Sequence, residues 1–240
     1  TARFGKPYGK TYKDDRDLTL YLIVDESPSM DFGAGRSKRE TAALAASLLA
    51  YTCSLNGIRV GALFFGGAAD MDGRTPAAGQ GAARALMERL ASGPTASGGG
   101  AGRGSDLGAA LSAASSVLKR RSLVLVVSDF MTAGYALPLA LLARRHDVAA
   151  LRGHDSLDSE PPDVGFSLRA ADAESGSPRL VVPRSRAYRD SRARSATSAR
   201  LEWLVALSAS KVPYLEMDSA TDPVEALVSF FGRQIGRAHV

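Results

Sequence analysis

Residues 18–30 of the chain read LTLYLIVDESPSM, a mostly apolar run followed at once by an aspartate and two alternate serines. A run with so little polar alternation predicts a strand that is buried on both faces of a parallel sheet. In open α/β sheets, ligands bind at the carboxyl ends of strands of this kind. Asp25, Ser27 and Ser29 therefore bring one carboxylate and two hydroxyl groups to a position where a ligand is expected.

The rest of the chain alternates between predicted strands and predicted helices. Further buried strands are predicted at 58–65, 122–127, 147–151 and 212–216, and helices at 37–55, 78–90, 106–118, 134–145, 185–210 and 223–235. This alternation predicts an α/β fold with a doubly wound, mostly parallel, Rossmann-like sheet. Residues 172–176 are turn formers between two short strand-like segments, which predicts a β-hairpin insertion.

Length and composition favour one folded domain. We expect an N-terminal extension over 1–17, the end of a missing upstream segment, and a domain over 18–240 that carries the hairpin insertion around 155–183. A single cysteine, Cys53, excludes an internal disulfide and favours a reducing compartment, so a cytoplasmic location is predicted. No apolar run approaches the roughly 18 residues that a membrane span needs.

The formal net charge is +5, and many of the arginines lie between residues 184 and 200. These arginines do not form one stripe at helical spacing. They therefore indicate a solvated surface, and no nucleic-acid partner is predicted.

Two more polar side chains lie at predicted element boundaries, one at the start of a helix and one at the end of a strand. Ser105 opens a predicted helix after the Gly-rich stretch 92–104, and Asp129 follows the strand predicted at 122–127. Carboxylates and hydroxyls are hard oxygen donors, which suit Mg²⁺ or Mn²⁺. Together with Asp25, Ser27 and Ser29, these two side chains lie where the metal site of a von Willebrand factor A domain places its ligands, and this resemblance implies a divalent-metal site formed by Asp25, Ser27, Ser29, Ser105 and Asp129. The alternative is that these residues only cap helices and form turns.

The Asp-x-Ser-x-Ser string resembles the first loop of the metal-ion-dependent adhesion site of von Willebrand factor A (vWA) domains. More of the chain resembles the bacterial and archaeal vWA-like family known as domain of unknown function fifty-eight. The residues that carry this second resemblance are Thr1 to Arg3, Lys10 to Asp17, Asp25 to Met30, Lys38, Ser105 to Leu111, Ser128 to Phe130, His146 to Val148, Asp155 to Gly165 and Asp172 to Gly176. They are spread over most of the chain.

This resemblance implies a non-enzymatic scaffold. Members of the family are thought to act as adaptors of MoxR-type AAA+ ATPases in complex maturation or metal-cofactor insertion. The implied partner is a protein, the AAA+ ATPase or its client, which is bound through the metal site. Family members usually carry Thr where Ser105 stands, and the missing methyl group leaves this hydroxyl rotamer less restricted.

Two other functions remain open at this stage. Asp25 at a strand end is compatible with a metal-dependent phosphatase-like hydrolase, although Ser27 stands where such an enzyme would carry its acid. A vWA scaffold with a vestigial metal site is the other alternative. The acidic group of Asp155, Asp158, Glu160 and Asp163 either contacts a partner or forms a solvated loop.

Overall fold

The computed structural model describes residues 18–33, 35–67, 70–94, 105–155, 158, 168–171, 178–181 and 185–238. Its strands are β1 (Thr19–Asp25), β2 (Arg59–Gly67), β3 (Asp70–Ala77), β4 (Leu123–Ser128), β5 (Asp147–His154), β6 (Leu168–Ala171), β7 (Pro178–Val181) and β8 (Tyr214–Asp218). Its helices are α1 (Lys38–Leu55), α2 (Gln80–Ser92), α3 (Leu107–Val117), α4 (Ala136–Arg145), α5 (Arg186–Ser210) and α6 (Pro223–Ala238). A short 3₁₀ helix, Pro28–Asp31, follows β1.

The main sheet has six strands in the order β3-β2-β1-β4-β5-β8. All neighbouring pairs are parallel except β2 and β3. A separate antiparallel pair, β6 and β7, forms the predicted hairpin. The predicted doubly wound, mostly parallel sheet is therefore confirmed.

Strand β1 lies at the centre of the sheet and contributes to two cores. Leu20, Leu22 and Val24 pack in the core that contains α1, α2 and α6, while Tyr21 and Ile23 pack in the core that contains α3, α4 and α5. Both faces of the strand are covered by helices, so apolar side chains are needed at every position. This double coverage explains the unbroken apolar run in the sequence.

The sheet reverses its winding beside β1. The chain passes from β1 to β2 on one side, whereas β4 joins β1 on the other side. In doubly wound sheets such a switch point leaves a crevice at the carboxyl ends of the two strands. The ends of β1 and β4 therefore form the expected ligand-binding edge.

Strand β3 was not predicted from the sequence. Among the described strands it pairs with β2 alone, through a ladder interrupted by two register shifts. Charged residues and a proline, Asp70, Asp72 and Pro76, break its strand-like pattern. Charges and proline are typical of an edge strand, where they prevent pairing with another chain. Its pairing partner, and not its own composition, makes this segment a strand.

The predicted domain limits stay predictions. Residues 1–17 and most of the segment 155–183 lie outside the described residues. Within the described part of the chain, no helix is both long and apolar enough to cross a membrane.

A glycine in β2 allows β3 to approach, and this contact can be tested. A Cβ atom at Gly61 would lie 2.8 Å from the Arg74 carbonyl oxygen and 2.9 Å from the Pro76 Cα atom. We expect Gly61→Ala to lower the free energy of unfolding by about 1–3 kcal/mol, because backbone must move. Gly73→Ala is the matched control, since the nearest atom to its Cβ would be Leu63 Cδ1 at 3.9 Å. Denaturant unfolding measures both, and equal stability of the two variants would contradict the prediction.

Candidate metal centre

The predicted metal residues meet at the switch point of the sheet. Asp25 is the last residue of β1, and Asp129 directly follows β4. Ser105 lies two residues before α3, and its hydroxyl donates to Asp25 Oδ2 at 3.3 Å. The structure thus brings together side chains that are more than 100 residues apart in the sequence.

Asp25 is the centre of this group. Its Oδ1 atom accepts a hydrogen bond from the Ser27 amide at 2.9 Å. Its Oδ2 atom accepts the hydroxyl of Ser128 at 2.6 Å in addition to that of Ser105. Ser128 in turn accepts from the amide of Phe130 at 3.0 Å, so the hydroxyl is fixed from both sides. Ser128 was not predicted as part of the site, although its position at the end of β4 was a usable signal.

The first loop places two hydroxyl groups beside this carboxylate. The Oγ atoms of Ser27 and Ser29 are 3.0 Å apart. Ser27 precedes the 3₁₀ helix but makes no side-chain cap to it. A side-chain cap by Ser27 is therefore not observed, but the turn role that the alternative also includes is present, since the Ser27 amide donates to Asp25. The two hydroxyl oxygens lie together on the loop that follows Asp25.

Asp129 is oriented by its own surroundings. Its Oδ1 atom accepts the amide of Met131 at 3.1 Å, and its carbonyl oxygen accepts Arg152 Nε at 3.2 Å. Its Oδ2 atom accepts the ammonium group of Lys38 at 3.3 Å. Arg152 also bonds Glu216 of β8 and lies 5.4 Å from the Trp203 ring centroid. Asp129 is therefore held through its carboxylate by Lys38 of α1 and by the Met131 amide of its own loop, and through its carbonyl oxygen by Arg152 of β5.

Burial changes the ionisation of Asp25. Only 1% of this residue is exposed, and loss of hydration raises the pKa of its carboxyl group to about 6. The negative charge of Asp129 contributes to this rise in the pKa, whereas hydrogen bonds from Ser128 and Ser27 oppose it. A cation at this edge would relieve both unfavourable effects.

The first loop is also held from outside the site by two arginines. Arg89 of α2 donates to both carboxylate oxygens of Glu26 at 2.7 and 2.8 Å, and to Asp72 of β3 at 3.1 Å. Its guanidinium group lies 4.1 Å from the ring centroid of Phe64. Arg39 of α1 donates to the carbonyl oxygens of Glu26 and Ser27, each at 3.1 Å. The unpredicted strand β3 thus helps to position the loop that carries the hydroxyl groups.

Lys38 and Asp158 are the residues that sequence reasoning missed. The ammonium group of Lys38 lies 3.0 and 3.1 Å from the two carboxylate oxygens of Asp158, besides its contact with Asp129. Asp158 was assigned to an acidic group that contacts a partner or is solvated. It instead forms an ion pair inside the protein. Asp155 is also buried and bonded to Ser219, while Glu160 and Asp163 lie outside the described residues.

The donor set suits a hard divalent cation. Two carboxylates and three hydroxyls would supply oxygen ligands, and the two carboxylate charges would balance that of Mg²⁺ or Mn²⁺. Among the described residues, no cluster of three or more His, Cys, Asp or Glu side chains is placed to hold a metal. A site of this kind needs only two such residues, because hydroxyl groups and water provide the other ligands. The side chains present fit the metal that the sequence predicts.

Comparison with known proteins identifies relatives over nearly the whole chain. Residues 1–202 match the family described as "Protein of unknown function DUF58". An uncharacterized protein of Mycobacterium tuberculosis strain H37Rv, Rv1480, is 34% identical over 235 residues, which cover 96% of this chain and 71% of that protein.

Two solved structures share the fold at low sequence identity. BatB from Bacteroides thetaiotaomicron has a TM-score of 0.55 and 16% identity, and the match covers 91% of this chain and 99% of that chain. An aerotolerance-related membrane protein from Bacteroides fragilis has a TM-score of 0.53 and 17% identity, with 90% and 97% covered. At these identities the likeness shows a shared fold alone.

The raised pKa of Asp25 predicts how the stability of the metal-free protein depends on pH. The folded state holds a proton on this carboxyl up to about pH 6, whereas the unfolded chain loses it near pH 4. Asp25 therefore lowers stability as the pH rises from about 4 to above 6. Asp25→Asn removes this loss, so its free energy of unfolding relative to the native protein should rise by roughly 2–3 kcal/mol between pH 4 and pH 7.

Denaturant unfolding in the presence of chelator measures this difference. Asp31→Asn is the control, because this carboxylate lies close by but its side chain is 59% exposed. A stability difference between Asp25→Asn and the native protein that stays constant with pH would contradict the assigned burial of Asp25.

Proposed function

This chain belongs to the family of proteins of unknown function DUF58, and from that premise we propose that it is a scaffold that binds a divalent metal and, through it, a protein partner. The observation that carries the proposal is the meeting of the predicted residues at the switch point of a vWA-like sheet. Asp25 and Asp129 end two adjacent central strands, and the hydroxyl of Ser105 comes to them from a third segment.

In the proposed site, Mg²⁺ or Mn²⁺ is held by Asp25, Ser27, Ser29, Ser105 and Asp129. The hydroxyl of Ser128 supports Asp25 by donating a hydrogen bond to its carboxylate. Arg152 supports Asp129 by donating a hydrogen bond to the carbonyl oxygen of Asp129. The ion, when bound, supplies a coordination position that can accept a carboxylate from outside the chain. Two carboxylates from the protein balance the charge of the ion without filling all of its coordination positions. The ion can therefore bind a third carboxylate.

The partner in this proposal is a protein that presents an Asp or Glu side chain to the ion. The resemblance stated above makes a MoxR-type AAA+ ATPase, or its client, the first partner to test. The process would be complex maturation or metal-cofactor insertion. A cytoplasmic location stays a prediction.

A scaffold accounts for the site better than a hydrolase does. Ser27 stands where a phosphatase of the type considered would carry its acid, and its hydroxyl is in contact with that of Ser29. Asp25 accepts hydrogen bonds from the Ser27 amide and from the hydroxyls of Ser105 and Ser128, which hold the carboxylate in place and lower the nucleophilicity of its oxygens. These contacts favour binding over turnover.

Metal binding should stabilise the folded protein. A ligand that binds only the native state adds about 2.7 kcal/mol at one hundred times its dissociation constant. For a chain of this size that corresponds to a rise of roughly 5–10 °C in melting temperature. We expect this rise in thermal melts with Mg²⁺ or Mn²⁺ relative to chelator, and its absence in Asp25→Ala.

Asp31→Ala is the matched control, since Asp31 belongs to the same loop but bonds Arg39. It should keep the metal-dependent rise. Identical melting temperatures with metal and with chelator in the native protein would show that the site is vestigial.

The partner interaction should depend on the same ion. Binding of the purified MoxR-type ATPase from the same organism is expected with Mg²⁺, and is expected to be lost with chelator and in Asp129→Ala. Asp31→Ala again serves as the control. The same preparations should not hydrolyse phosphate esters. Metal-dependent turnover that is lost in Asp25→Asn would replace the scaffold proposal with an enzyme.

A further inference from the structure

A fully buried lysine lies at the candidate metal centre. The side chain of Lys38 is only 1% exposed, although it carries a charge at the first position of α1. A positive charge at a helix N-terminus is opposed by the helix dipole, and a buried charge requires close partners. Its partners are Asp129 and Asp158, and the ammonium group lies between them.

The lysine is held in this position by the surrounding backbone. Ser37 caps α1 and forms a reciprocal capping box with Glu40, which fixes the start of the helix. The amide of Lys38 donates to the carbonyl oxygen of Phe32 at 3.0 Å. The stem of the side chain passes over Gly153 of β5, where an added Cβ atom would lie 3.3 Å from Lys38 Cβ. The position of the ammonium group is therefore built into the fold.

Asp158 is held independently of the lysine. Its amide donates to the carbonyl oxygen of Asp155 at 3.0 Å, and its Oδ2 atom accepts the amide of Asp155 at 3.1 Å. Its contacts with the ammonium group are shorter than the 3.3 Å contact that Asp129 makes. The ammonium group can thus lose Asp129 and remain paired.

We propose that Lys38 is an internal counter-cation that competes with the divalent ion for Asp129, and that Asp158 retains the ammonium group when the ion binds. This inference rests on the proposed function, because it concerns the same metal site. The ammonium group contacts Asp129 Oδ2, an oxygen of a proposed metal ligand. Two cations at one carboxylate repel each other, so the lysine lowers the affinity of the site for metal. Asp158 limits this loss by drawing the ammonium group away from Asp129.

Replacement of Lys38 separates its effect on metal affinity from its effect on the stability of the metal-free protein. In Lys38→Met the affinity for Mn²⁺ should rise by about tenfold or more, because the competing charge is removed. The melting temperature of the metal-free protein should fall, since Asp129 and Asp158 lose their partner. Titration calorimetry with Mn²⁺ and thermal melts in chelator measure the two quantities. Lys119→Met removes the same charge from an exposed position at the end of α3 and should change neither.

Replacement of Asp158 gives the opposite result for metal affinity. In Asp158→Asn the ammonium group loses the closer of its two carboxylate partners and keeps Asp129, so the affinity for Mn²⁺ should fall by about tenfold. In the double variant Lys38→Met, Asp158→Asn, the second change should alter affinity by less than about twofold, because Asp158 acts through the lysine. An equal fall in both backgrounds would mean that Asp158 acts directly on the ion, and would overturn its assigned role.

The outcomes also separate this inference from the proposed function. If Lys38→Met lowers the melting temperature but leaves the affinity unchanged, the lysine is structural only and the inference is overturned. If Lys38→Met binds Mn²⁺ and the native protein does not, the inference holds and the metal-dependent scaffold is overturned. If no variant binds Mn²⁺, both are overturned. Should Lys38→Met fail to fold, Asp158→Asn still decides, since an unchanged or increased affinity contradicts the proposal.

Discussion

The buried carboxylate of Asp25 is the group around which the site is organised. It lies at the carboxyl end of the central strand, with 1% of the residue exposed. A carboxylate in such a place needs donors, and it receives them from Ser27, Ser105 and Ser128. These serines come from the loop after β1, from the start of α3 and from the end of β4. The position of one aspartate thus determines how three segments of the chain meet.

The charges around this carboxylate are arranged in pairs. Lys38 bridges Asp129 and Asp158, and Arg89 holds Glu26. Buried ion pairs contribute little net stability, because dehydration of the charges offsets their attraction. Their role here is to hold loops in one arrangement, because each pair joins segments that are distant in sequence. Apart from the proposed competition of Lys38 with the ion, the charges near the site therefore act mainly on geometry.

The two cores provide a rigid base for this arrangement. Helices α1, α2 and α6 cover one face of the sheet, and α3, α4 and α5 cover the other. Side chains of β1 pack in both cores, so the strand that carries Asp25 is fixed on both faces. Binding groups placed at the ends of such strands need little reorganisation when a ligand arrives. This small reorganisation suits the proposed scaffold, which recognises a partner through a few oxygen atoms.

The sequence by itself determined the fold class and the five candidate ligands. The unbroken apolar stretch 20–24 of β1 requires helices on both faces, and parallel strands deliver the residues at their carboxyl ends to one edge. Only the tertiary structure decided β3, which becomes a strand through pairing with β2, and the lysine bridge at the site. Lys38 lies 91 residues from Asp129 and 120 from Asp158 in the sequence. No local pattern encodes such a contact, because it depends on how α1 and β5 pack, and that packing exists only in the folded chain.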